Sequence, residues 1–263
     1  MSEKNLDGEV RYEILGHIMQ ITFDRVEKRN AFTPKMYEEL SDAYTLLDQD
    51  KNLRVGVLCF EGEHSTSGLD LQKFSSKLGN IEGILKSGNI DPFSLKNKCR
   101  KPIVVAVQGT TFTVGVELML AADITIASDD CVFSQMEPQR GIMAFGGAAI
   151  RYVERAGWGN AMYHLLIAGK FDAQTALSHG LVQEVVPKGQ QIDRAMTLAQ
   201  KIAKNAPLAV QATKETARIY TESGEQTAIN TFGDTLKKLA TSKDVMEGMA
   251  AMMQKREPVF KGE

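Results

Sequence analysis

The chain has 263 residues, a formal net charge of -2, 43% hydrophobic residues and 24% charged residues. These values are ordinary for a globular protein and exclude a largely disordered or low-complexity chain. The near-neutral charge, without a basic stripe, argues against nucleic-acid binding. No apolar run approaches the roughly 20 residues that cross a bilayer, so we expect no membrane association.

The cysteines, the histidines and the first residues bear on compartment and metal binding. The three cysteines form no CxxC pair and the four histidines show no ligand spacing, so we expect neither a disulfide framework nor a metal site. The polar segment from Met1 to Asp7 has no signal-peptide core. The sequence therefore predicts a cytoplasmic protein with a reduced interior.

The first elements are a hairpin and a helix. Segments 10–14 and 18–23 alternate apolar and polar residues, which predicts two half-buried antiparallel strands. Thr33 suits a helix N-cap and Pro34 suits the first helical position. The helix that they begin carries an apolar stripe formed by Met36, Leu40, Tyr44 and Leu47.

The middle of the chain alternates strands and helices, and the end is purely helical. Segments 55–60 and 101–107 are apolar on nearly every residue, which predicts strands buried on both faces by helices. Shorter strands are predicted at 124–127 and 181–186. The predicted helices lie near 114–122, 147–156, 159–167 and 173–178. We therefore expect an α/β core over residues 1–190 and a helical C-terminal region over residues 191–263.

Two turns combine a strand end, glycine and a following helix, at residues 60–71 and 107–117. Ligands of α/β proteins gather at the carboxyl ends of strands, where glycine lets the backbone approach closely. Two such turns can aim two backbone N–H groups at one oxygen. Neither turn has the spacing of a phosphate loop or of a dinucleotide-binding motif.

The second turn leads into a helix with one ionisable residue, Glu117, among apolar neighbours. A buried carboxyl needs a hydrogen bond, a charged partner or a proton. The free N–H groups at the start of this helix favour an oxygen that gains negative charge, with Glu117 beside it. The alternative is a structural pair between Glu117 and Arg140 or Arg151, and spacing alone does not decide between the two.

Glu137 is the second candidate acid. Pro138 follows it and favours an extended conformation, so we expect Glu137 in a loop. Its alternative interpretation is a solvated carboxylate. His64, Ser67 and Asp70 lie near the first turn, but their spacing does not support a catalytic triad, and a helix cap is the simpler role of Asp70.

Five segments resemble the crotonase superfamily, also called the enoyl-CoA hydratase/isomerase family. Residues 27–33 are similar to its K-x-N-A-[LF] segment, and residues 67–71 to its [SA]-G-x-D-L turn. Residues 101–109 are similar to its K-P-x-I-A-A-V-x-G strand, and residues 115–123 to its G-x-E-L-x-x-A-x-D helix. Residues 255–260 are similar to its K-R-x-P-x-F ending. The resemblance covers nearly the whole chain.

The resemblance implies a reaction on a coenzyme A thioester. The backbone N–H groups of Leu69 and Val114 would form an oxyanion hole for the thioester carbonyl. Glu117 and Glu137 match both acids of the hydratases, which add a water across the 2,3 double bond of an enoyl-CoA. No cofactor is implied beyond the coenzyme A that forms part of the substrate.

The resemblance also implies the surroundings and the assembly. Lys28, Arg29 and Ala31 would contact coenzyme A, and Lys255 and Phe260 would reach it from a neighbouring subunit. The family fold is a spiral of ββα units with a helical C-terminal trimerisation region, commonly a trimer or a dimer of trimers. The other implied substrate-binding residues are Ser67, Gly68, Asp70, Leu71, Gly115 and Phe145.

Departures from the family pattern keep alternatives open. Thr113-Val114-Gly115 replaces a common triple glycine, and Phe145 stands where the family usually has a glycine that helps to hold water. Both changes predict a tighter and drier site. Double-bond isomerisation or thioester hydrolysis in the same site is therefore an alternative to hydration. A non-catalytic trimer that binds acyl-CoA is a third possibility.

Overall fold

The computed structural model describes residues 7–77 and 80–263, with the side chains of residues 81 and 82 left aside. The prediction that the polar segment from Met1 to Asp7 has no signal-peptide core therefore lies outside the described residues, except for Asp7. The strands are β1 (Glu9–Leu15), β2 (Ile18–Asp24), β3 (Val55–Phe60), β4 (Ile103–Val107), β5 (Thr110–Phe112), β6 (Ile124–Ser128), β7 (Val132–Ser134), β8 (Phe171–Asp172) and β9 (Glu184–Val186).

The helices cover the sheets and continue alone to the C-terminus. Single-turn 3-10 helices also occur at Val26–Lys28, Ile81–Ile84 and Glu137–Arg140. The α-helices are α1 (Pro34–Gln49), α2 (Leu71–Phe74), α3 (Val114–Ala121), α4 (Ala148–Ile167), α5 (Ala173–Ser178), α6 (Gln191–Lys204), α7 (Pro207–Ser223), α8 (Glu225–Asn230), α9 (Phe232–Ala240) and α10 (Lys243–Gln254).

Within the described residues the strands form two sheets. The larger has the order β1-β2-β3-β4-β6-β9, with β1 antiparallel to β2 and the remaining pairs parallel. The smaller has the order β5-β7-β8. Two consecutive ββα units, β4-β5-α3 and β6-β7-α4, each give one strand to each sheet. The predicted hairpin and the predicted α/β core are confirmed.

The core lies on both faces of the larger sheet, because its central strands β3 and β4 are buried at every residue. On one face, Leu58 and Val105 pack in the same cluster as the α1 stripe. On the other face, Val57 and Val104 pack with the alanines of α6. Helix α6 therefore covers the second face of the larger sheet, although it lies beyond residue 190. The division of the chain at that residue stays a prediction.

Local signals explain where the long elements begin and bend. The Thr33 side chain accepts a hydrogen bond from the Met36 N–H at 3.2 Å, and Pro34 is the first residue of α1, as predicted. The α4 range consists of two helical segments that meet at Gly157, whose φ of 74° and ψ of 163° are not helical, in agreement with the helices predicted at 147–156 and 159–167. Within the described residues no helix is both long enough and apolar enough to cross a membrane.

Candidate active site

A cavity of about 190 Å³ lies where the two glycine turns meet. It is bounded by the first turn, by the start of α3, by the 3-10 helix at Glu137–Arg140 and by the segment before α4. Its lining residues are Ser67, Gly68, Leu69, Leu71, Thr113, Val114, Glu117, Met136, Glu137, Arg140, Ile142 and Phe145. The two predicted acids and the two predicted amide positions therefore face one space.

The first turn directs the Leu69 amide away from its neighbouring segment. The Phe32 N–H donates to the Gly68 carbonyl at 2.9 Å, and the Asp70 N–H donates to the Phe32 carbonyl at 2.9 Å. In this parallel bridge the N–H of Leu69 points to the opposite side. It donates to no other described residue. A donor that lines a cavity and has no protein partner is available to a ligand.

The second turn places the Val114 amide at the start of α3. Val114 is the first residue of that helix, so its N–H has no intrahelical acceptor. Thr113, just before it, has φ 47° and ψ -109°, a backbone conformation that side chains rarely adopt. Its own N–H donates to the Ser134 carbonyl at 2.8 Å, which ties the turn to β7.

Hydrogen bonds join the two turns to each other. The Thr66 N–H donates to the Thr110 carbonyl at 3.0 Å, and the Phe112 N–H donates to the Thr66 carbonyl at 3.0 Å. Gly115 packs beneath this contact, since a Cβ there would lie 2.5 Å from the Thr66 methyl carbon. Gly115 therefore packs against the first turn and does not line the cavity, and its role in substrate binding stays a prediction.

Glu117 is buried in α3 with 1% of its surface exposed. One of its carboxyl oxygens accepts a hydrogen bond from the Ala148 N–H at 3.2 Å. Within the described residues no salt bridge joins Glu117 to Arg140 or Arg151, so the structure does not show the alternative pairing. The Arg151 guanidinium donates instead to backbone carbonyls. Burial, followed by the nearby charge of Glu137, raises the pKa of Glu117 to about 8. The carboxyl therefore keeps its proton at neutral pH.

Gly146 lets α4 approach Glu117. A Cβ at Gly146 would lie 2.8 Å from the Glu117 carboxyl carbon and 2.7 Å from the Phe93 ring. Phe93 in turn packs edge-on against Phe145, with ring centroids 5.7 Å apart. The Gly146-Gly147 pair before α4 is the signal in the sequence that indicates this close approach.

Glu137 differs from its prediction. It begins the 3-10 helix instead of lying in an extended loop, and it is buried, with 7% of its surface exposed. The Gln135 side-chain N–H donates to Glu137 Oε1 at 3.4 Å. Burial raises the pKa of Glu137. The expectation of a solvated carboxylate fails because β7 leads the chain into the interior just before Glu137.

Some predicted binding residues lie at the cavity and others beside it. Ser67, Gly68, Leu71 and Phe145 line the cavity. Lys28 and Arg29 are exposed on the neighbouring segment, where the Ser67 N–H donates to the Arg29 carbonyl at 2.9 Å. Ala31 follows them and is half-buried.

Three predicted residues have other positions. Asp70 caps α2 and accepts a hydrogen bond at 2.9 Å from the buried Arg25, so it has a structural role, and its contact with substrate stays a prediction. Lys255 ends α10 with φ 52°. Phe260 lines a separate apolar cavity of about 330 Å³ against α10. Their predicted contact with coenzyme A in a neighbouring subunit stays a prediction, because it needs a second chain.

Sequence reasoning missed part of the cavity wall. Met136, Arg140 and Ile142 line the cavity, and no local pattern distinguished them from loop residues. Within the described residues no group of three or more His, Cys, Asp or Glu side chains is arranged to hold a metal ion. The cavity brings together two buried carboxyls, the Leu69 and Val114 amide positions and an apolar wall.

Comparisons with known proteins identify the family of the chain. The sequence profile of the enoyl-CoA hydratase/isomerase family matches residues 13–263. Enoyl-CoA hydratase EchA19 of Mycobacterium tuberculosis is 30% identical over 248 residues, which is 93% of each chain. A carnitinyl-CoA dehydratase of Proteus mirabilis is 31% identical over 252 residues, 94% of this chain and 96% of that one.

Solved structures agree as well. The crystal structure of a probable enoyl-CoA hydratase/isomerase from Mycobacterium abscessus has a TM-score of 0.94 and 41% identity, with 97% of this chain and 98% of that chain covered. The predicted crotonase-like fold is thereby confirmed. The chain belongs to the enoyl-CoA hydratase/isomerase family, the crotonase superfamily.

Proposed function

We propose that this protein adds water across the 2,3 double bond of an enoyl-CoA thioester. The observation that carries the proposal is the pair of buried carboxyls, Glu117 and Glu137, that face one cavity with the Leu69 and Val114 positions. Both carboxyls have raised pKa values, so the pair can hold one proton near neutral pH. One acid and one base at a shared water are what hydration requires.

The proton balance follows from the two environments. Glu117 is the more deeply buried carboxyl and holds the shared proton, so it donates that proton to C2. Glu137 is the ionised partner and takes a proton from water as its oxygen bonds to C3. The carbon–carbon double bond becomes a single bond, and the pair keeps one proton in total. No metal or redox group takes part in this scheme.

The two amides stabilise the charge that develops during the reaction. Addition of water at C3 moves electrons to the thioester oxygen, which becomes an enolate oxygen. We place this oxygen between the N–H groups of Leu69 and Val114, neither of which donates to another described residue. In other enzymes, loss of one such donor costs about 2.7–4 kcal/mol of barrier.

The coenzyme A moiety would lie along the exposed segment beside the cavity. Lys28 and Arg29 are exposed there and next to Ser67. Cations in this place suit the phosphates of coenzyme A. The acyl group would enter a space of about 190 Å³ closed by Phe145, which favours short chains.

The test is a panel of enoyl-CoA thioesters of increasing length, with mass spectrometry of the products. We expect a gain of one water, fastest for short chains. Glu117→Gln and Glu137→Gln should each lower kcat by about 100-fold or more, the scale of general acid–base catalysis. Glu63→Gln, at an exposed glutamate, is the matched control and should keep the rate. Equal rates in all four proteins would refute the mechanism.

Phe145 supports isomerisation or thioester hydrolysis as the second candidate. Its apolar ring stands on the cavity wall, where it limits the room for water. The same panel separates the reactions, since isomerisation leaves the mass unchanged and hydrolysis releases free coenzyme A. Binding of the thioesters without any product would instead indicate a non-catalytic acyl-CoA-binding protein.

A further inference from the structure

Tyr152 is a polar residue in the interior that the proposed mechanism does not use. It lies in α4, its side chain is fully buried, and its hydroxyl has no hydrogen-bond partner among the described residues. Four other buried atoms of the described residues share this property: Glu137 Oε2, Gln135 Oε1, Arg155 Nη1 and Gln191 Oε1. Buried polar atoms without partners are rare and usually have a reason.

Helix geometry directs Tyr152 toward the two acids. Tyr152 follows Ala148 by four residues, so both lie on one face of α4. The side chain of a helical residue leans toward the N-terminus of its helix, here toward Ala148. The N–H of Ala148 donates to Glu117. The phenol therefore extends along the helix face that contacts Glu117.

The charges around Tyr152 are consistent with this position. Burial raises the pKa of the Tyr152 phenol, and the charges of Glu137 and Glu117 raise it further. The other titratable groups nearby are His164, whose ring centroid is 5.9 Å from that of Tyr152, and Arg151, the adjacent residue of α4. Arg151 donates to the Gly146 and Phe93 carbonyls, so its guanidinium is already engaged.

Three of the atoms without partners complement one another. Tyr152 supplies a donor, whereas Glu137 Oε2 and Gln135 Oε1 are acceptors. One water that accepts from the phenol and donates to both acceptors would satisfy all three, and a buried water commonly makes about three such bonds. The Gln135 amide already lies near the same carboxyl, at 3.4 Å from Glu137 Oε1.

We propose that Tyr152 is a positioning residue that holds the Glu137 carboxylate through one bridging water. This proposal rests on the proposed function, because it assigns Glu137 the ionised role. A hydrogen bond to a carboxylate favours its charged form and opposes the effect of burial. Tyr152 therefore keeps Glu137 ionised, while Glu117 keeps the proton.

Tyr152→Phe tests the proposal, because it removes one oxygen and keeps the ring. We expect the pKa of Glu137 to rise by about one unit, so the acid limb of the kcat/KM profile moves up by about one pH unit. At pH values below this limb, kcat/KM should then be about 10-fold lower than in the wild type, and above it the two proteins should be equal. Tyr44→Phe is the matched control, since Tyr44 is buried in α1 and neither catalytic glutamate affects its pKa.

A second measurement does not depend on activity. The coupling energy between Tyr152→Phe and Glu137→Gln, measured from unfolding free energies, should be larger at pH 9 than at pH 5, because only the ionised carboxylate needs the donor.

A third measurement replaces Tyr152 by 3-fluorotyrosine. This residue gives a more acidic donor in an intact fold and should move the acid limb of the kcat/KM profile to lower pH. The proposal would be overturned if the acid limb of the kcat/KM profile stays in place in both proteins and the coupling energy is the same at pH 9 and pH 5. A protein without hydratase activity but with pH-dependent coupling would refute the proposed function alone.

Discussion

Glu117 links the stability of the protein to pH. Its pKa is about 8 in the folded protein, against 4.5 for an unperturbed carboxyl, and the main cause is burial. Between these values the folded chain keeps a proton that the unfolded chain releases, so the free energy of unfolding falls as pH rises from about 4.5 to 8. Glu117→Gln removes this titration. We expect the difference in unfolding free energy, variant minus wild type, to be about 4 kcal/mol larger at pH 9 than at pH 5.

The measurement is urea unfolding at several pH values, at one protein concentration. Glu63→Gln serves as the control, because Glu63 is exposed and should leave the pH dependence unchanged. A Glu117→Gln protein whose stability follows the wild-type pH curve would show that the carboxyl does not hold a proton at neutral pH.

Single residues of the site differ in how far sequence could predict them. Glu117 was recognisable because it is the one ionisable residue of an apolar helix. The burial of Glu137 was not, because it depends on how β7 and the following 3-10 helix enter the interior. Tyr152 was missed for a related reason. A tyrosine in a helix gives no local sign that its hydroxyl is buried without a protein partner.

At the scale of elements, length decided what could be predicted. The six-residue strand Val55–Phe60 matched its prediction, because a continuous apolar run of that length has few other structures. Strands β5, β7 and β8 have two or three residues and no readable period, so they were missed. The strand predicted at 181–186 was too long, since only Glu184–Val186 pairs with β6.

The start of α3 is an element whose geometry stores strain. Thr113 adopts φ 47° and ψ -109°, which costs a non-glycine residue about 1–3 kcal/mol. Thr113→Gly relieves this strain but adds about 0.5–1 kcal/mol of unfolded-state entropy. We therefore expect a net stabilisation of about 1 kcal/mol, read as a rise in the urea midpoint.

Thr113→Ala is the matched control for this prediction. Alanine keeps a Cβ and therefore the strain, so it should not stabilise the protein. The turn also contacts the first glycine turn, since a Cβ at Gly68 would lie 2.5 Å from the Thr113 hydroxyl oxygen. If the glycine and alanine variants change the midpoint equally, backbone strain at Thr113 is not the cause.

At the scale of the whole molecule, the C-terminal helices carry exposed apolar side chains. Two of them, Phe232 and Leu236, are four residues apart in α9 and are 47% and 63% exposed. Met252 and Met253 at the end of α10 are both 76% exposed. Large apolar patches of this kind mark interfaces. We expect these helices to join copies of the chain into a trimer or a dimer of trimers, with three or six times the 28.9 kDa of one chain.

Light scattering after size-exclusion chromatography measures this mass directly. The double variant Phe232→Asp, Leu236→Asp places two carboxylates on the proposed interface, where burial would leave them unpaired and costly. It should dissociate the assembly and lower its thermal midpoint, because folding and association are linked. Lys238→Asp, at an exposed position of the same helix, should leave the mass unchanged. A wild-type protein with the mass of one chain would contradict the role of these helices, whereas loss of assembly in the double variant alone would place the interface on α9.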